Sequence, residues 1–357
     1  MNKLVRIFSV LAGLILAGAV NAAQVADLYQ ADVAAEGSTA QWQQQALAQV
    51  LTRVSGKADI VTQTDIAAEL KRASGYVKQF EAVRHADGNR MRVLLDAVKV
   101  NQLLQQHNIP VWGALRPDIL VWLVQQQGSE RQFVRQAGHA LNTGLQLAFR
   151  RAALPLLQPL YDMDDLLNIA ETDVWAGFWQ QINLASQRYA ADIVVAATID
   201  QISTDAEPLW RLTWQRQSDG RTYRDEVTAA DEATLMQAFA AGLAGQLAQR
   251  YASVMSATDS ADLLLKVQGL HNLADLVQVQ KLLQQMVGVS QVTISRYQAG
   301  MAYYQVSSSV AADGFLKALN FNKQLRPVTA GATDTITTEA INAAEPVVLA
   351  TFEFTRG

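Results

Sequence analysis

The sequence predicts a mixed α/β protein made of three consecutive sheet-and-helix units. Two continuous apolar runs, at 119–124 and 193–197, are typical of strands that are buried on both faces. Amphipathic helical patterns lie between and after these runs, as expected for helices layered on a sheet. A later stretch, 260–328, follows the order β-α-β-β-α-β. We therefore expect a small N-terminal mixed domain, a central three-layer α/β domain and a C-terminal ferredoxin-like domain.

Composition and charge restrict the classes of function. The chain has 357 residues, 50% of them apolar, a formal net charge of −4 and no cysteine. This composition excludes global disorder, and the lack of cysteine excludes disulfides, thiol catalysis and Cys-ligated metal centres. Because no basic stripe is present, we expect no nucleic-acid partner.

The first 22 residues are predicted to be a cleaved signal peptide. Lys3 and Arg6 precede an apolar stretch, and Val20-Asn21-Ala22 provides small residues for cleavage before Ala23. The apolar stretch is shorter than the roughly 20 residues that a membrane-spanning helix needs. We expect a periplasmic protein with no transmembrane segment in its mature chain.

The N-terminal domain is predicted over 23–112. Ser38 and Gln41 have the spacing of a capping box, and the helix that they open ends at Gly56. The patterns beyond it predict, in chain order, a helix over 65–80, a strand over 90–97 and a helix over 98–107, with 24–35 as the partner strand.

Three stretches resemble the domain of unknown function 2066 family of exported bacterial proteins. They are RVSG at 53–56, RMRVLLDAVKVNQLLQQHNIPVWGALRPDILVWLV at 90–124 and LPLLQPLYDMDDLLNIAETDVWAGFW at 154–179. Together they cover most of the mature chain. The resemblance implies export and this domain layout, and it implies no catalytic residues because the family has no assigned activity.

The central domain is predicted over 113–255. Helical patterns cover 134–148 and 172–185, a short strand covers 153–160, and Ser218-Asp219-Gly220 is the expected turn of a hairpin. Asp231 is the expected cap of a last helix. RYAADIVVAATID at 188–200, followed by the hairpin, is similar to the N-terminal domain of TolB and to CsgG and LpoB. That similarity implies a binding and assembly module of the cell envelope rather than an enzyme.

The C-terminal part is predicted to contain the ferredoxin-like domain at 260–328, a linker at 329–345 and a strand within 346–357. The linker is rich in Ala and Thr and has no periodicity. The strand alternates apolar and polar residues. Two interpretations stay open: it pairs with an edge of its own chain, or it is donated to a partner.

Candidate site residues fall into two groups, one acidic and one aromatic. Asp162, Asp164 and Asp165, with Asp173 as an added ligand, could hold a cation or divide acid and base roles, or could simply cap a helix. Tryptophans that could bind a peptide or glycan, or could pack in the core, are Trp175, Trp179, Trp210 and Trp214.

The sequence favours a non-catalytic binding or assembly accessory whose partner is another envelope protein. No motif for phosphate binding, nucleophilic catalysis or zinc ligation is present, so no catalytic residue, metal or cofactor is predicted. One alternative is a hydrolase or metal-dependent enzyme that uses the Asp162, Asp164 and Asp165 cluster. Another alternative is a lipid or glycan carrier, which would need a large apolar pocket.

Overall fold

The computed structural model describes residue 25 and residues 27–85, 88–136, 138–203, 208–256, 260–328 and 348–356. The predicted signal peptide and linker lie outside the described residues. The mixed α/β class predicted from the sequence is confirmed. The strands are β1 (Gln30–Ala34), β2 (Val77–His85), β3 (Gly88–Leu95), β4 (Ile119–Gln127), β5 (Glu130–Phe133), β6 (Leu156–Leu157), β7 (Ile193–Ser203), β8 (Pro208–Ser218), β9 (Arg221–Ala229), β10 (Ala261–Gln268), β11 (Val289–Gln298), β12 (Met301–Ser308), β13 (Leu325–Pro327) and β14 (Ala350–Phe354). The α-helices are α1 (Thr39–Ser55), α2 (Thr64–Leu70), α3 (Ala97–Gln106), α4 (Ala140–Ala152), α5 (Met163–Asn168), α6 (Glu171–Ala176), α7 (Trp179–Ser186), α8 (Glu232–Tyr251), α9 (Leu273–Gln284) and α10 (Ala312–Leu319).

The N-terminal unit is an antiparallel sheet of order β1-β3-β2 packed against α1. The predicted capping box is confirmed, because the Ser38 amide donates to Gln41 Oε1 at 2.7 Å and the Gln41 amide donates to Ser38 Oγ at 3.4 Å. Gly56 ends α1 in the left-handed conformation, with φ of +68°. The predicted partner strand before α1 is β1, which pairs with β3.

The helix predicted over 65–80 is wrong beyond Leu70. A short 3-10 turn (Ala73–Tyr76) follows α2, and the chain then enters β2, which pairs with β3 along its length. The apolar spacing that predicted one helix over 65–80 is also compatible with a helix that ends at Leu70 and is followed by a strand. Phe80 is 55% exposed on the edge strand β2, and its ring centroid lies 5.2 Å from that of Trp42 in α1.

The central sheet has the order β5-β4-β7-β8-β9, and β6 pairs with β4 beside β5. Side chains of a strand alternate between the two faces of the sheet, so β4 supplies two different cores. Val121 and Leu123 pack with α4 and α8, whereas Leu120 and Trp122 pack on the opposite face with α5 to α7. The two buried apolar runs predicted at 119–124 and 193–197 are confirmed as neighbouring parallel strands.

Several predicted elements of this unit are corrected. The helix predicted over 172–185 is two helices, because Gly177 takes φ of +72° and separates α6 from α7. The helix predicted over 134–148 begins later, at α4, after the unpredicted strand β5. The strand predicted over 153–160 is limited to the two residues of β6, since prolines flank it. The hairpin turn at Asp219-Gly220 and the Asp231 cap of α8 are confirmed.

The C-terminal unit is a sheet of order β11-β12-β10-β14-β13. The predicted order β-α-β-β-α-β is present in β10 to β13, but β14 enters the sheet as a fifth strand between β10 and β13. It lies parallel to β10 and antiparallel to β13. Phe352 and Phe354 are buried in the core below the sheet. The last strand therefore pairs with its own chain, inside the sheet rather than at an edge; the ferredoxin-like assignment itself is not confirmed.

Buried charges hold the units against one another. Arg116, in the segment that leads into β4, is fully buried and donates to the carbonyls of Arg53 and Ala152 at 2.8 and 3.0 Å. Lys323 of the C-terminal unit forms an ion pair with the buried Asp118, which directly precedes β4. The segment that leads into β4 is thus joined to both flanking units by polar contacts.

Candidate functional site

The acidic group predicted from the sequence surrounds a single arginine. Asp162 is the N-cap of α5, and its Oδ1 accepts from the Asp165 amide at 3.1 Å. Arg188, just after α7, donates Nη1 to Asp162 Oδ1 at 2.7 Å and Nη2 to Oδ2 at 2.9 Å. This bidentate ion pair, and then the capping hydrogen bond from the Asp165 amide, hold the pKa of Asp162 below its ordinary value.

Asp165 is the buried member of the group. Its Oδ2 accepts from the Tyr161 amide at 2.7 Å and from the Tyr189 hydroxyl at 2.5 Å, and its Oδ1 lies 3.3 Å from Arg188 Nη1. Burial, and then the hydrogen bond to Asp165, raise the pKa of Tyr189 to about 12. Tyr189 is therefore a neutral donor at neutral pH, and the network fastens α5 to the end of α7.

The remaining acidic residues do not join this network closely. Asp164 is 78% exposed and lies 3.9 Å from Arg188. Asp173 is separate, in the first turn of α6, where its Oδ2 accepts from the Ala170 amide at 2.8 Å. Among the described residues, no group of three or more His, Cys, Asp or Glu side chains is arranged to hold a metal ion.

The four candidate tryptophans are divided between the two faces of the central sheet. Trp175 in α6 and Trp179 in α7 are half-buried, and the guanidinium of Arg131 lies 4.3 Å from the Trp175 ring. Trp210 and Trp214 are on the α4 and α8 face. Trp214 is 1% exposed and packs on Phe239 at 5.1 Å between ring centroids, so its side chain is part of the core. The four rings do not form one platform.

A feature that the sequence analysis missed is the exposed apolar surface over α5 and α7. Six large apolar side chains between residues 160 and 184 are exposed, several of them by more than half. They are Leu160 (68%), Met163 (68%), Leu166 (41%), Leu167 (76%), Phe178 (54%) and Leu184 (54%). We call this set the α5–α7 surface. Clusters of exposed apolar groups of this kind mark interaction sites more often than isolated exposed residues do.

Local geometry explains why these side chains face outward. Helix α5 has only six residues, and the buried positions here are Asp165 within the helix and Ile169 directly after it. The positions between them therefore turn to solvent, and Leu166 and Leu167 are among them. A signal was present in the sequence: adjacent leucines beside three aspartates cannot all share one narrow inward face of a short helix.

Acidic residues are concentrated in the segment that carries the α5–α7 surface, although Asp165 is buried and Asp162 is paired with Arg188. Residues 160–188 contain five acids and one arginine, a formal charge of 1 − 5 = −4, which equals the formal charge of the whole chain. The acidic side chains are those of Asp162, Asp164, Asp165, Glu171 and Asp173. An apolar surface with an acidic border is chemically suited to a partner that is apolar at its centre and basic at its rim.

The comparisons with known proteins assign only part of the chain. A family model described as a domain of unknown function, DUF8605, matches residues 22–113. The prediction of an uncharacterised domain is thus supported for this region, but the matching family is not the domain of unknown function 2066 family named from the sequence. Neither the curated proteins nor the solved structures contain a match. In the part of the chain that the structure describes, no helix has both the length and the apolar character required to cross a membrane.

Proposed function

We propose that this protein is an exported, non-catalytic binding or assembly protein of the bacterial periplasm, and that it binds another envelope protein through the α5–α7 surface. The observation that carries the proposal is the concentration of exposed apolar side chains on two helices that are fastened together by Asp165 and Arg188. A rigid apolar surface needs no reordering before it binds, so little conformational entropy is lost on association.

The charge around the surface indicates the chemistry of the partner. Exposed aspartates beside leucines favour a protein segment with an apolar ridge flanked by Lys or Arg. A bilayer with anionic lipids is a poorer fit, since surfaces that bind such bilayers present basic side chains. The partner is therefore proposed to be a protein rather than a membrane.

The cellular setting is part of the proposal and rests on the sequence. The positive, apolar and small-residue segments of residues 1–22 support export to the periplasm. We propose the assembly role from the sequence pattern of 188–200 and the hairpin that follows it, which resembles TolB, CsgG and LpoB, although no solved structure matches the chain.

The enzyme alternative has less support from the geometry. The oxygen atoms of Asp162 and Asp165 accept hydrogen bonds from Arg188, Tyr189 and backbone amides, so they are engaged by donors from the chain itself. An acid–base pair or a cation site would need these oxygens directed at a ligand.

A photo-activatable crosslinking side chain at position 167, introduced in intact cells, tests the proposal. We expect one recurrent envelope protein to be crosslinked, through a peptide that contains Lys or Arg next to apolar residues. Position 98 is the matched control, because Val98 is 64% exposed on α3. The same set of crosslinked proteins from both positions, or none from position 167, would refute docking on the α5–α7 surface.

A further inference from the structure

A cleft lies between the N-terminal unit and helices α4 and α8 of the central domain. It consists of two adjoining cavities with volumes of about 490 and 350 Å³. They adjoin because five residues line both cavities: Asp32, Gln49, Arg53, Arg90 and Arg151. The cleft is on the other side of the central sheet from the α5–α7 surface, so a ligand here would be separate from the proposed partner protein.

Arginine is the dominant charged residue of the cleft. Five arginines and two aspartates line the cavities, a formal charge of 5 − 2 = +3 in a chain whose net charge is −4. The arginines are Arg53, Arg90, Arg92, Arg150 and Arg151, and the aspartates are Asp27 and Asp32. A positive cleft in an acidic protein is a local feature that attracts anions.

The floor of the cleft holds a buried guanidinium. Arg53 is 9% exposed, and its Nη1 donates to the Gln30 carbonyl at 2.5 Å while its Nε donates to the Arg151 carbonyl at 2.9 Å. These acceptors are neutral, and burial lowers the pKa of Arg53 to about 10. The cation is satisfied as a donor, but its charge is not neutralised by a hydrogen-bonded carboxylate.

A second buried guanidinium lies directly behind the first. Arg116 is fully buried, donates to the Arg53 carbonyl at 2.8 Å and directs its other bonds to backbone carbonyls. Burial, and then the charge of Arg53, lower its pKa to about 9. The two cations sit in a region of low dielectric, where their field at the floor of the cleft is screened less than at an open surface.

One arginine at the rim is available to a ligand. Arg150 is in the last turn of α4, is exposed, and its side chain makes no hydrogen bond or ion pair within the described residues. Arg92 differs, since it is bonded to Asp32 and Glu81 at 3.1 Å each. An anion at the rim would therefore meet Arg150 first.

The larger cavity has an apolar wall. Small side chains from α1, the turn after it, α4 and α8 line this part, and they leave room that longer side chains would fill. They are Ala48, Ala58, Val61, Ala148, Ala241 and Ala244. A cavity of about 490 Å³ is within the range that holds a compact organic ligand.

We propose that this cleft binds a phosphate monoester that carries an aliphatic body, with the phosphate at the arginines and the aliphatic part against the alanine wall. Guanidinium groups match phosphate oxygens two at a time, and a dianion suits a cleft of charge +3 better than a carboxylate does. The phosphate could belong to a lipid headgroup or to a soluble phosphate, and the experiment separates these two sources. This site goes beyond the proposed docking of a protein.

Calorimetric titration of the purified protein tests the proposal with three probes. They are decyl phosphate below its micelle concentration, inorganic phosphate and decyl maltoside. We expect decyl phosphate to bind, inorganic phosphate to bind at least tenfold more weakly, and decyl maltoside not to bind. Equal affinity for decyl phosphate and inorganic phosphate would overturn the aliphatic half of the site and assign it to free phosphate. Absence of decyl phosphate binding at millimolar concentration would overturn the whole proposal.

Four variants locate the binding. Arg150→Gln and Arg90→Gln should each lower the affinity for decyl phosphate by about tenfold, a free-energy difference typical of one charge-assisted contact. Arg221→Gln is the matched control, because Arg221 is exposed and lines neither cavity. Ala241→Leu should weaken decyl phosphate but not inorganic phosphate, since it fills the apolar wall. Equal affinities in Arg150→Gln, Arg221→Gln and the parent protein would contradict the proposed site.

Discussion

The two faces of the central sheet are built differently. On the α4 and α8 face, twenty-five buried apolar residues of the described chain form one core, in which Phe239 packs between Phe149 and Trp214. On the α5–α7 face, nine buried apolar residues of the described chain form the core, and three short helices cover it. The second face leaves six large apolar side chains in solvent.

This difference assigns most of the stability to the α4 and α8 face and the proposed binding to the α5–α7 face. The long helix α8 has twenty residues and buries a continuous apolar stripe, so the α4 and α8 face supplies most of the hydrophobic stabilisation of the unit. The α5–α7 face has a smaller apolar core, and the polar contacts of Asp165 and Arg188 add to it. Mutations on the two faces should consequently affect different properties of the protein.

The largest effect is expected from Phe239→Ala on the α4 and α8 face. Phe239 is fully buried, so its loss removes apolar contacts and leaves a cavity, at about 3–5 kcal/mol of unfolding free energy. Urea unfolding measures this. The matched control is Leu184→Ala on the α5–α7 face. It should lower the unfolding free energy by well below half as much, because Leu184 is 54% exposed. Equal losses of unfolding free energy in the two variants would contradict the proposed difference between the two faces.

A smaller loss of unfolding free energy is expected from Asp165→Ala, which removes the buried carboxylate of α5. The Tyr161 amide and the Tyr189 hydroxyl lose their acceptor, which should cost about 1–3 kcal/mol. Hydrogen exchange should show faster exchange in 163–168, while amides of α8 stay protected. Asp164→Ala is the control, since Asp164 is 78% exposed. Unchanged exchange of α5 in Asp165→Ala would show that the network does not hold the helix.

Gly177→Ala tests the break between α6 and α7. Gly177 has φ of +72°, and an added Cβ would lie 2.9 Å from Gln215 Oε1. The left-handed conformation costs a residue with a side chain roughly 1–2 kcal/mol, so the unfolding free energy should fall by about that amount. Gly75→Ala is the control, because a Cβ there meets nothing within 4 Å. A loss equal to that of Gly75→Ala would contradict the strain assigned to this turn.

Lowering the pH should destabilise the α5–α7 face. The pKa of Asp162 is lowered by Arg188, so its contribution to stability is present above the unfolded pKa of about 3.9 and is lost as the pH falls below it. Hydrogen exchange at pH 6 and pH 3 should therefore show α5 opening more at pH 3. The amides near Phe239, in the middle of α8, should not show this change, because Phe239 is buried in an apolar core against Phe149 and Trp214. Equal acid sensitivity of the two helices would contradict this difference.

Local signals predicted the elements that depend on neighbouring residues. The caps at Ser38 and Asp231 and the turn at Asp219-Gly220 each need only a few adjacent side chains, and all three are found. The apolar run at 119–124 also identified a strand buried on both faces, because each of its residues is buried.

Features that depend on distant residues could not be predicted. β14 enters between β10 and β13, and no pattern within 346–357 indicates which strands will flank it. The adjacent leucines Leu166 and Leu167 could not both face inward on a short helix, but which elements would cover or expose them depends on the fold. The arginines of the cleft are spread over β3, α1 and α4, so only the folded chain brings them together.

The most direct test of the account is the double variant Leu166→Gln with Leu167→Gln, measured both for stability and for binding. The account predicts an unfolding free energy within about 0.5 kcal/mol of the parent protein, since both leucines are exposed. It also predicts loss of the envelope protein that the parent chain retains in a quantitative pull-down, while Val98→Gln retains it. A destabilisation above roughly 2 kcal/mol would place these leucines in the core, and unchanged capture would remove the α5–α7 surface as the docking site.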